Sequence, residues 1–270
     1  MESPPKIIYG TAWKKADTNR LVVAAIQQGF RGIDTACQPK HYDEGAVGTA
    51  VADCLNDTLT RSELYLQTKF TPLSGQDPTK LPYDSTASLP EQVTQSCEIS
   101  LRNLQTTYLD CLLLHSPLAS TSQTLEAWRA MESLVASGTV RRLGISNCYR
   151  IDLFRALFDA AHIKPSVIQN RLYTDTGYDR DIRAFCATHL ITYQSFWTLT
   201  ANPHVLANAT IIHLAERYQR TPAQIFFRYL TQEHVVPLTG TRSEVHMRED
   251  LAIFEFELSD AELEAIDALL

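Results

Sequence analysis

The chain has 270 residues, 44% of them hydrophobic and 20% charged, enough to bury a sizeable core, and residues 1–270 read as a single domain. A formal net charge of −7 argues against a surface built to track nucleic acid or an anionic membrane, since both need a concentrated basic field. No window approaches the ~18 consecutive apolar residues of a membrane span, and the opening MESPPKIIYG lacks a signal architecture, so a cytoplasmic protein is expected.

Short aliphatic runs alternate with helical patterns along the whole chain, the mark of βα units around a parallel sheet. Lys6–Gly10 is a first strand, followed by a helix whose apolar stripe is Leu21, Val22, Ala25 and Ile26. Phe30–Ile33 is a second strand, and a helix runs from about Glu44 to Leu55. Leu64–Thr68 is a third. The segment 71–88, with Pro72, Gly75, Pro78 and Pro82, reads as a long loop insertion. Ser88 and Glu91 form a capping box with an early proline, opening a helix with the stripe Val93, Cys97, Leu101 and Leu104. Leu109–Leu114 is the fourth strand; a helix with Leu125, Trp128, Met131 and Val135 ends at Gly138, a C-cap glycine. Val140–Ile145 and Ser166–Ile168 are strands five and six, with the helix of Leu153, Phe154 and Leu157 between them. A polar helix around Tyr178–Thr188 leads to strand seven near Leu190–Gln194. Two further helices follow, the second capped by Thr221 and Gln224, then strand eight at His234–Leu238 and a final helix capped by Ser259 and Glu262. Eight strand–helix units in 270 residues predict an α/β fold of the (β/α)8 TIM barrel type. An open doubly wound sheet is disfavoured because Gly10-Thr-Ala-Trp13 is not a G-x-G-x-x-G turn.

Cys37, Cys54, Cys97, Cys111, Cys148 and Cys186 are scattered without a C-x-x-C pair, as expected of reduced, buried thiols. The histidines show no ligand spacing, so no metal is expected.

In such a barrel the site lies at the C-terminal ends of the strands. The polar residues found there are Asp34, Lys69, His115, Ser146-Asn147, Gln169-Asn170 and Thr239-Gly240, and any one of them alone is most often a plain strand end. Together, an acid, a lysine and a histidine converge on one mouth, with Tyr42 in the loop beside them. Lys69 needs Asp34 as its counter-ion if it is buried. Its ammonium is expected to draw the Tyr42 phenol below the usual value of about 10 and so make it a proton donor near neutral pH. These groups transfer protons but hold no electrons, so a reduction would require a cofactor.

The elements GIDTA, Tyr42, QTKF around Lys69, LLLHSP around His115 and GISN at Gly144–Asn147 resemble, in order, the aldo-keto reductase family over nearly the whole chain. The resemblance implies NADPH bound in extended form, with NADH as a second possibility, and hydride transfer to a small-molecule aldehyde or ketone. It implies Asp34, Tyr42, Lys69 and His115 as the catalytic tetrad, Tyr42 being the general acid. Ser146, Asn147 and Gln169 are implied as nicotinamide carboxamide ligands. Thr11, Ser195, Phe196, Thr239, Gly240, Thr241, Arg242, His246, Glu249 and Asp250 are implied along the rest of the cofactor. Trp13, His41 and Trp197 are the expected substrate-pocket residues. CQPKHY and YQSFWTLTAN are similar to members from filamentous fungi, many of which act in secondary metabolism. A monomer or weak homo-oligomer is expected, and an end at Leu270 implies a pocket without a long C-terminal loop.

The chain departs from the family pattern at several points. Tyr42 falls eight residues after Asp34 and six before Gly48, with His41 at the neighbouring register, so the loop is rebuilt. The tyrosine that stacks on the nicotinamide in relatives is replaced around Ser195-Phe196-Trp197. After strand eight, where relatives often carry P-K-S, the chain has Pro237-Leu238-Thr239-Gly240-Thr241-Arg242 and no lysine, leaving Arg242 and Arg248 as candidate phosphate partners. Two other readings remain open: a nicotinamide-binding regulatory barrel with a rebuilt catalytic loop, and a Schiff-base enzyme using Lys69 as nucleophile.

Overall fold

The computed structural model describes residues 5–56 and 58–270. Its eight strands are β1 (Ile8–Gly10), β2 (Gly32–Asp34), β3 (Tyr65–Phe70), β4 (Cys111–Leu114), β5 (Leu143–Ser146), β6 (Val167–Arg171), β7 (Thr192–Phe196) and β8 (Val235–Thr239). They pair in parallel in chain order and close through β1 and β8, giving the expected (β/α)8 barrel. The outer layer comprises α1 (Thr18–Gln28), α2 (Glu44–Cys54), α3 (Leu89–Asn103), α4 (Thr121–Ala136), α5 (Ile151–Ala160), α6 (Arg180–His189), α7 (Pro203–Leu206), α8 (Ala209–Tyr218), α9 (Pro222–Gln232), α10 (Glu244–Leu251) and α11 (Asp260–Asp267). Among the described residues no helix is long and apolar enough to cross a membrane.

The capping boxes at Ser88–Glu91, Thr221–Gln224 and Ser259–Glu262 all form. Two local differences have physical causes. The helix expected from Tyr178 starts at Arg180, because Gly177, Tyr178 and Asp179 all take positive φ in a tight turn. Short α10, capped by Ser243, is an addition to the elements read from the sequence.

Strands β2, β3, β5, β6 and β8 extend past their apolar runs, so Asp34, Lys69, Ser146, Gln169 and Thr239 lie within strands, not after them, whereas β4 stops at Leu114 before His115. The reason is the layering of the barrel interior. Side chains alternate faces along a strand. In β3 this sends Tyr65, Gln67 and Lys69 inward, and in β6 Val167, Gln169 and Arg171. The lower interior is a small apolar plug of Cys111, Leu113 and Val167 with Tyr65 against it. Above it the inward residues are polar and satisfy one another, which lets the ladder continue. The main apolar core, including Trp128, Phe154, Phe226 and Phe227, fills the space between barrel and helices.

The loop that carries Tyr42 is held from both sides. Buried Glu44 at the start of α2 accepts from Thr68 Oγ1 (2.5 Å) and Ser100 Oγ (2.8 Å), tying α2 to β3 and α3. Segment 71–88 is tethered to the same loop: Gln38 Nε2 donates to Gly75 O (2.7 Å) and Gln76 Nε2 to Cys37 O (2.9 Å).

α2 crosses α3 most closely at Gly48, where an added Cβ would lie 2.0 Å from Asn103 O and 2.8 Å from the Leu104 Cα. Gly48→Ala must therefore push backbone apart, and a stability loss of about 1–3 kcal/mol is expected. Urea unfolding should show a lower midpoint with an unchanged slope; an unchanged midpoint would refute the close packing.

Candidate active site

The centre of the mouth is the buried pair Lys69–Asp34, with Nζ 2.6 Å from Oδ2 and both residues within 3% of full burial. Lys69 also donates to Thr35 O (2.8 Å), and Asp34 Oδ1 accepts from Gln67 Nε2 (2.7 Å) and Gln169 Nε2 (2.9 Å). Gln194 completes the layer, accepting from Gln67 (2.8 Å) and Gln169 (2.9 Å) and donating back to Gln67 (3.1 Å). Burial pushes the Lys69 ammonium down, and Asp34 opposes that shift.

Tyr42 reaches this centre in spite of its spacing. The backbone N–H groups of His41 and Tyr42 both bond Gln38 O (3.1 Å each), a tight turn that takes up the extra residues after Asp34. The Lys69 Nζ then lies 5.3 Å from the centroid of the Tyr42 ring, which meets the His115 ring edge-on at 6.0 Å. His41 goes elsewhere, stacking on Trp13 with ring centroids 3.7 Å apart. The expectation that Lys69 lowers the phenol is corrected here: burial first, and then the Asp34 carboxylate, raise Tyr42 above its usual value. Lys69 has its charge answered by Asp34, so the resting phenol keeps its proton.

His115 Nδ1 lies 2.6 Å from Thr71 Oγ1, and its backbone carbonyl accepts Asn147 Nδ2 (2.8 Å). Burial, then the charges of Lys69 and His41, push its imidazole down to about 3. Ser146 Oγ donates to Gln169 O (2.7 Å), and the Asn147 amide oxygen accepts from Tyr149 OH (3.2 Å). Gln169 uses its amide N–H groups inward and presents its Oε1 without a protein donor among the described residues.

The rim carries two more groups of residues. On the β1 and β8 side, Lys14 is buried, its ammonium donating to Gly240 O and lying 5.5 Å from the Tyr9 ring centroid. Burial, with Arg242 adding to it, lowers Lys14 to about 8, and no carboxylate pairs with it among the described residues. Arg242 straps the rim, bonding Asp17 Oδ2 and Trp13 O at 2.8 Å each. His246 stands beside Thr241 (3.5 Å), while Thr239 is buried with Asp250 against it. Asp250, on α10, is raised to about 6 by burial, which its contact with Thr239 opposes. Glu249 is half-buried and turns its backbone carbonyl to Gln224.

Thr11 is fully buried, donating to Asp34 O (2.9 Å), and Ser195 is fully buried, accepting from Thr198 Oγ1 (2.9 Å). Both side chains are closed off from solvent. Phe196 and exposed Trp197 do reach the rim, where Trp197 packs on the Arg171 guanidinium 4.2 Å from the ring centroid. Asn170 faces outward to Asp179 (2.6 Å). Among the described residues no group of three metal-ligating side chains converges.

Gln67, Gln194, Lys14 and Arg171 do not stand out when only strand-end residues are examined. Gln67 and Gln194 share the period-2 inward face with Lys69 and Gln169, which is the signal that identifies them.

A parallel barrel whose mouth joins a protonated phenol, a lysine–carboxylate pair and a neutral imidazole can move protons but has no redox group of its own among these side chains. The comparisons agree. Residues 6–270 match the aldo/keto reductase family, and the chain belongs to it. Glyoxal reductase of Bacillus subtilis is 30% identical over 248 residues, 92% of this chain and 82% of its own. A solved aldo-keto reductase from a Medee basin deep-sea metagenome library superposes with TM-score 0.84 at 26% identity, covering 99% of this chain and 92% of that one. A Gox0644 variant in complex with NADPH superposes with TM-score 0.81 at 27% identity over 99% and 90% of the two chains. The protein is therefore an NAD(P)H-dependent oxidoreductase.

A base whose pKa falls to about 3 on folding is uncharged at every higher pH. The His115 ring resonances are accordingly expected to stay flat between pH 8 and pH 5 by NMR. A titration in that window would refute the buried, neutral imidazole.

Proposed function

We propose that the chain reduces a small aldehyde or ketone with NADPH, Tyr42 being the general acid. The observation that carries this is the approach of Tyr42 to Lys69 (5.3 Å to the ring centroid), with Asp34 holding Lys69 in place. NADPH, when bound, would supply the hydride for the carbonyl carbon. The carbonyl oxygen that gains charge needs a proton and a positive field, and Tyr42 O–H provides the proton. An alkoxide is more basic than a phenolate, so a phenol with a raised pKa still gives up its proton to it. The Lys69 ammonium then stabilises the phenolate left behind, and Asp34 with its two glutamine donors keeps Lys69 from following the proton. Neutral His115, tethered by Thr71, can donate a hydrogen bond to the same oxygen without bringing a charge.

The remaining groups suit the cofactor. A carboxamide offers N–H donors, and Gln169 Oε1 is an acceptor without a donor among the described residues. Lys14, buried beside Arg242 with no carboxylate partner among the described residues, is a cation whose environment an approaching phosphate would improve. Arg242, with Thr241 and His246 beside it, is the candidate for the 2′-phosphate. The relative named glyoxal reductase favours small reactive dicarbonyls as substrates. The exposed rings of Trp13 and Trp197 are placed to border them at the rim. A Schiff-base role suits Lys69 poorly, because its ammonium is bound to Asp34 and to Thr35 O.

Two measurements test this reading. Tyr42→Phe is expected to lower glyoxal-dependent NADPH oxidation by roughly 10²–10⁴-fold, the usual contribution of general acid catalysis, while NADPH binding is retained; undiminished turnover would remove Tyr42 from the acid role. The second concerns Lys14, at about 8 in the free protein. An anion bound beside it raises that value, so binding takes up a proton above pH 8 and affinity falls as pH rises through it. NADPH affinity should be level below pH 8 and weaken above it, and Lys14→Met should flatten the profile. An identical profile in the variant would refute the assignment.

A further inference from the structure

Arg171 ends β6 on the inward face, two residues beyond Gln169 and opposite Phe196 of β7. Its backbone N–H is held by Tyr149 OH (3.1 Å), and its guanidinium lies between two rings, 4.2 Å from the Trp197 centroid and 5.0 Å from that of Tyr173. Among the described residues its side chain has no ion pair and no hydrogen bond, and Nε is buried without a partner. Stacking on aromatic faces fixes the plane of a guanidinium and leaves its edge of N–H donors free, the geometry that suits a phosphate or carboxylate. Trp197, which supplies one face, holds φ +54 and a half-exposed ring. A bulky residue in the left-handed region is uncommon, and strain of this kind gathers at binding sites.

The place of Arg171 in the barrel selects the anion. On the function proposed above, the nicotinamide end lies at Ser146, Asn147 and Gln169 on β5 and β6, and the cation pair Lys14 and Arg242 stands at β8 and β1. The strands run β5-β6-β7-β8 around the barrel, so a dinucleotide joining those two ends crosses the tops of β6 and β7. Arg171 and Trp197 occupy that crossing. The groups aimed at the substrate, Tyr42 and His115, come from the β2 and β4 half of the mouth. We propose that Arg171 is a diphosphate-binding residue of the cofactor track.

The test is equilibrium titration of the full chain with NADPH and with NADH, followed by protein fluorescence, for wild type, Arg171→Met, Arg171→Lys and Arg242→Met. Both dinucleotides carry the diphosphate and only NADPH carries the 2′-phosphate. Arg171→Met is expected to weaken both by about tenfold or more, leaving their ratio unchanged. Arg171→Lys keeps the charge but not the planar stack and should fall between. Arg242→Met should weaken NADPH selectively. Circular dichroism of each variant checks folding, and the lysine variant carries the test if the methionine variant does not fold. Unchanged affinities in folded Arg171 variants overturn the proposal. So does a loss confined to NADPH, or an effect seen only as a raised KM for succinic semialdehyde against butanal, which would make the anion a substrate carboxylate. Wild-type protein that binds neither dinucleotide defeats the NADPH reading itself, whereas wild-type binding with unaffected variants defeats only the role of Arg171.

Discussion

The buried Lys69–Asp34 pair is the constraint on which the rest of the site depends. Removing two opposite charges from water costs several kcal/mol per ion, and their attraction repays this only when the remaining donors and acceptors are also satisfied. Here they are. Asp34 takes Lys69 on one oxygen and two glutamine amides on the other, and Lys69 gives a second N–H to Thr35 O. The glutamine amides close on Gln194, so the layer is a connected network whose members fix one another's orientation. Apolar residues of similar volume would fill the barrel at no loss of stability. Stability alone therefore does not account for a charged layer at this height, and the proposed function gives it a role through the phenol of Tyr42 that it faces.

The β/α alternation makes the fold legible in the chain, because each strand's apolar run and each helix's stripe must bury the same faces wherever the barrel closes. Asp34, Lys69 and His115 are legible for a related reason: a polar residue at the top of an apolar run lies at the mouth of a barrel. Gln67 and Gln194 lie one register deeper, where a polar residue inside a strand has meaning only once its partners across the barrel are known. Tyr42 can be chosen by its chemistry, but its pKa direction cannot, since that is decided by burial and by which of two opposite charges the ring feels more. Lys14 and Arg171 look like solvated rim charges in a sequence; only the structure shows one buried without a carboxylate and the other held between rings. Thr11, Ser195 and Asp250 fit a pattern of positions, and their burial is likewise seen only in the structure.

The loops that complete the site show how a rigid barrel tolerates a rebuilt rim. The turn on Gln38 O absorbs the added residues before Tyr42, and Glu44 fixes the chain immediately after it, so loop length is decoupled from the placement of the phenol. Segment 71–88 contributes through Gly75 and Gln76, which bond the same loop, and through Thr71, which holds His115. A long excursion thus braces two of the four proposed catalytic side chains from outside the barrel.

Positive φ at non-glycine residues occurs at helix ends such as Leu190 and Gln219 and also at the rim. Trp13, Asn147 and Trp197 all hold positive φ near +53 to +62, and all three sit at the C-terminal ends of strands. Non-glycine residues in that region cost of order 1–3 kcal/mol each and persist only where their surroundings over-determine them. The surroundings are specific: Trp13 stacks on His41, Trp197 on Arg171, and the Asn147 amide bridges His115 O and Tyr149. If these positions served packing alone, glycine would relieve the strain at little loss, since both tryptophan rings are half-exposed. The strained positions instead divide the mouth, with Trp13 beside the phenol on one side and Asn147 with Trp197 over the proposed cofactor track on the other. At these three positions, unlike at the helix ends Leu190 and Gln219, the strain stands where a ligand would meet it.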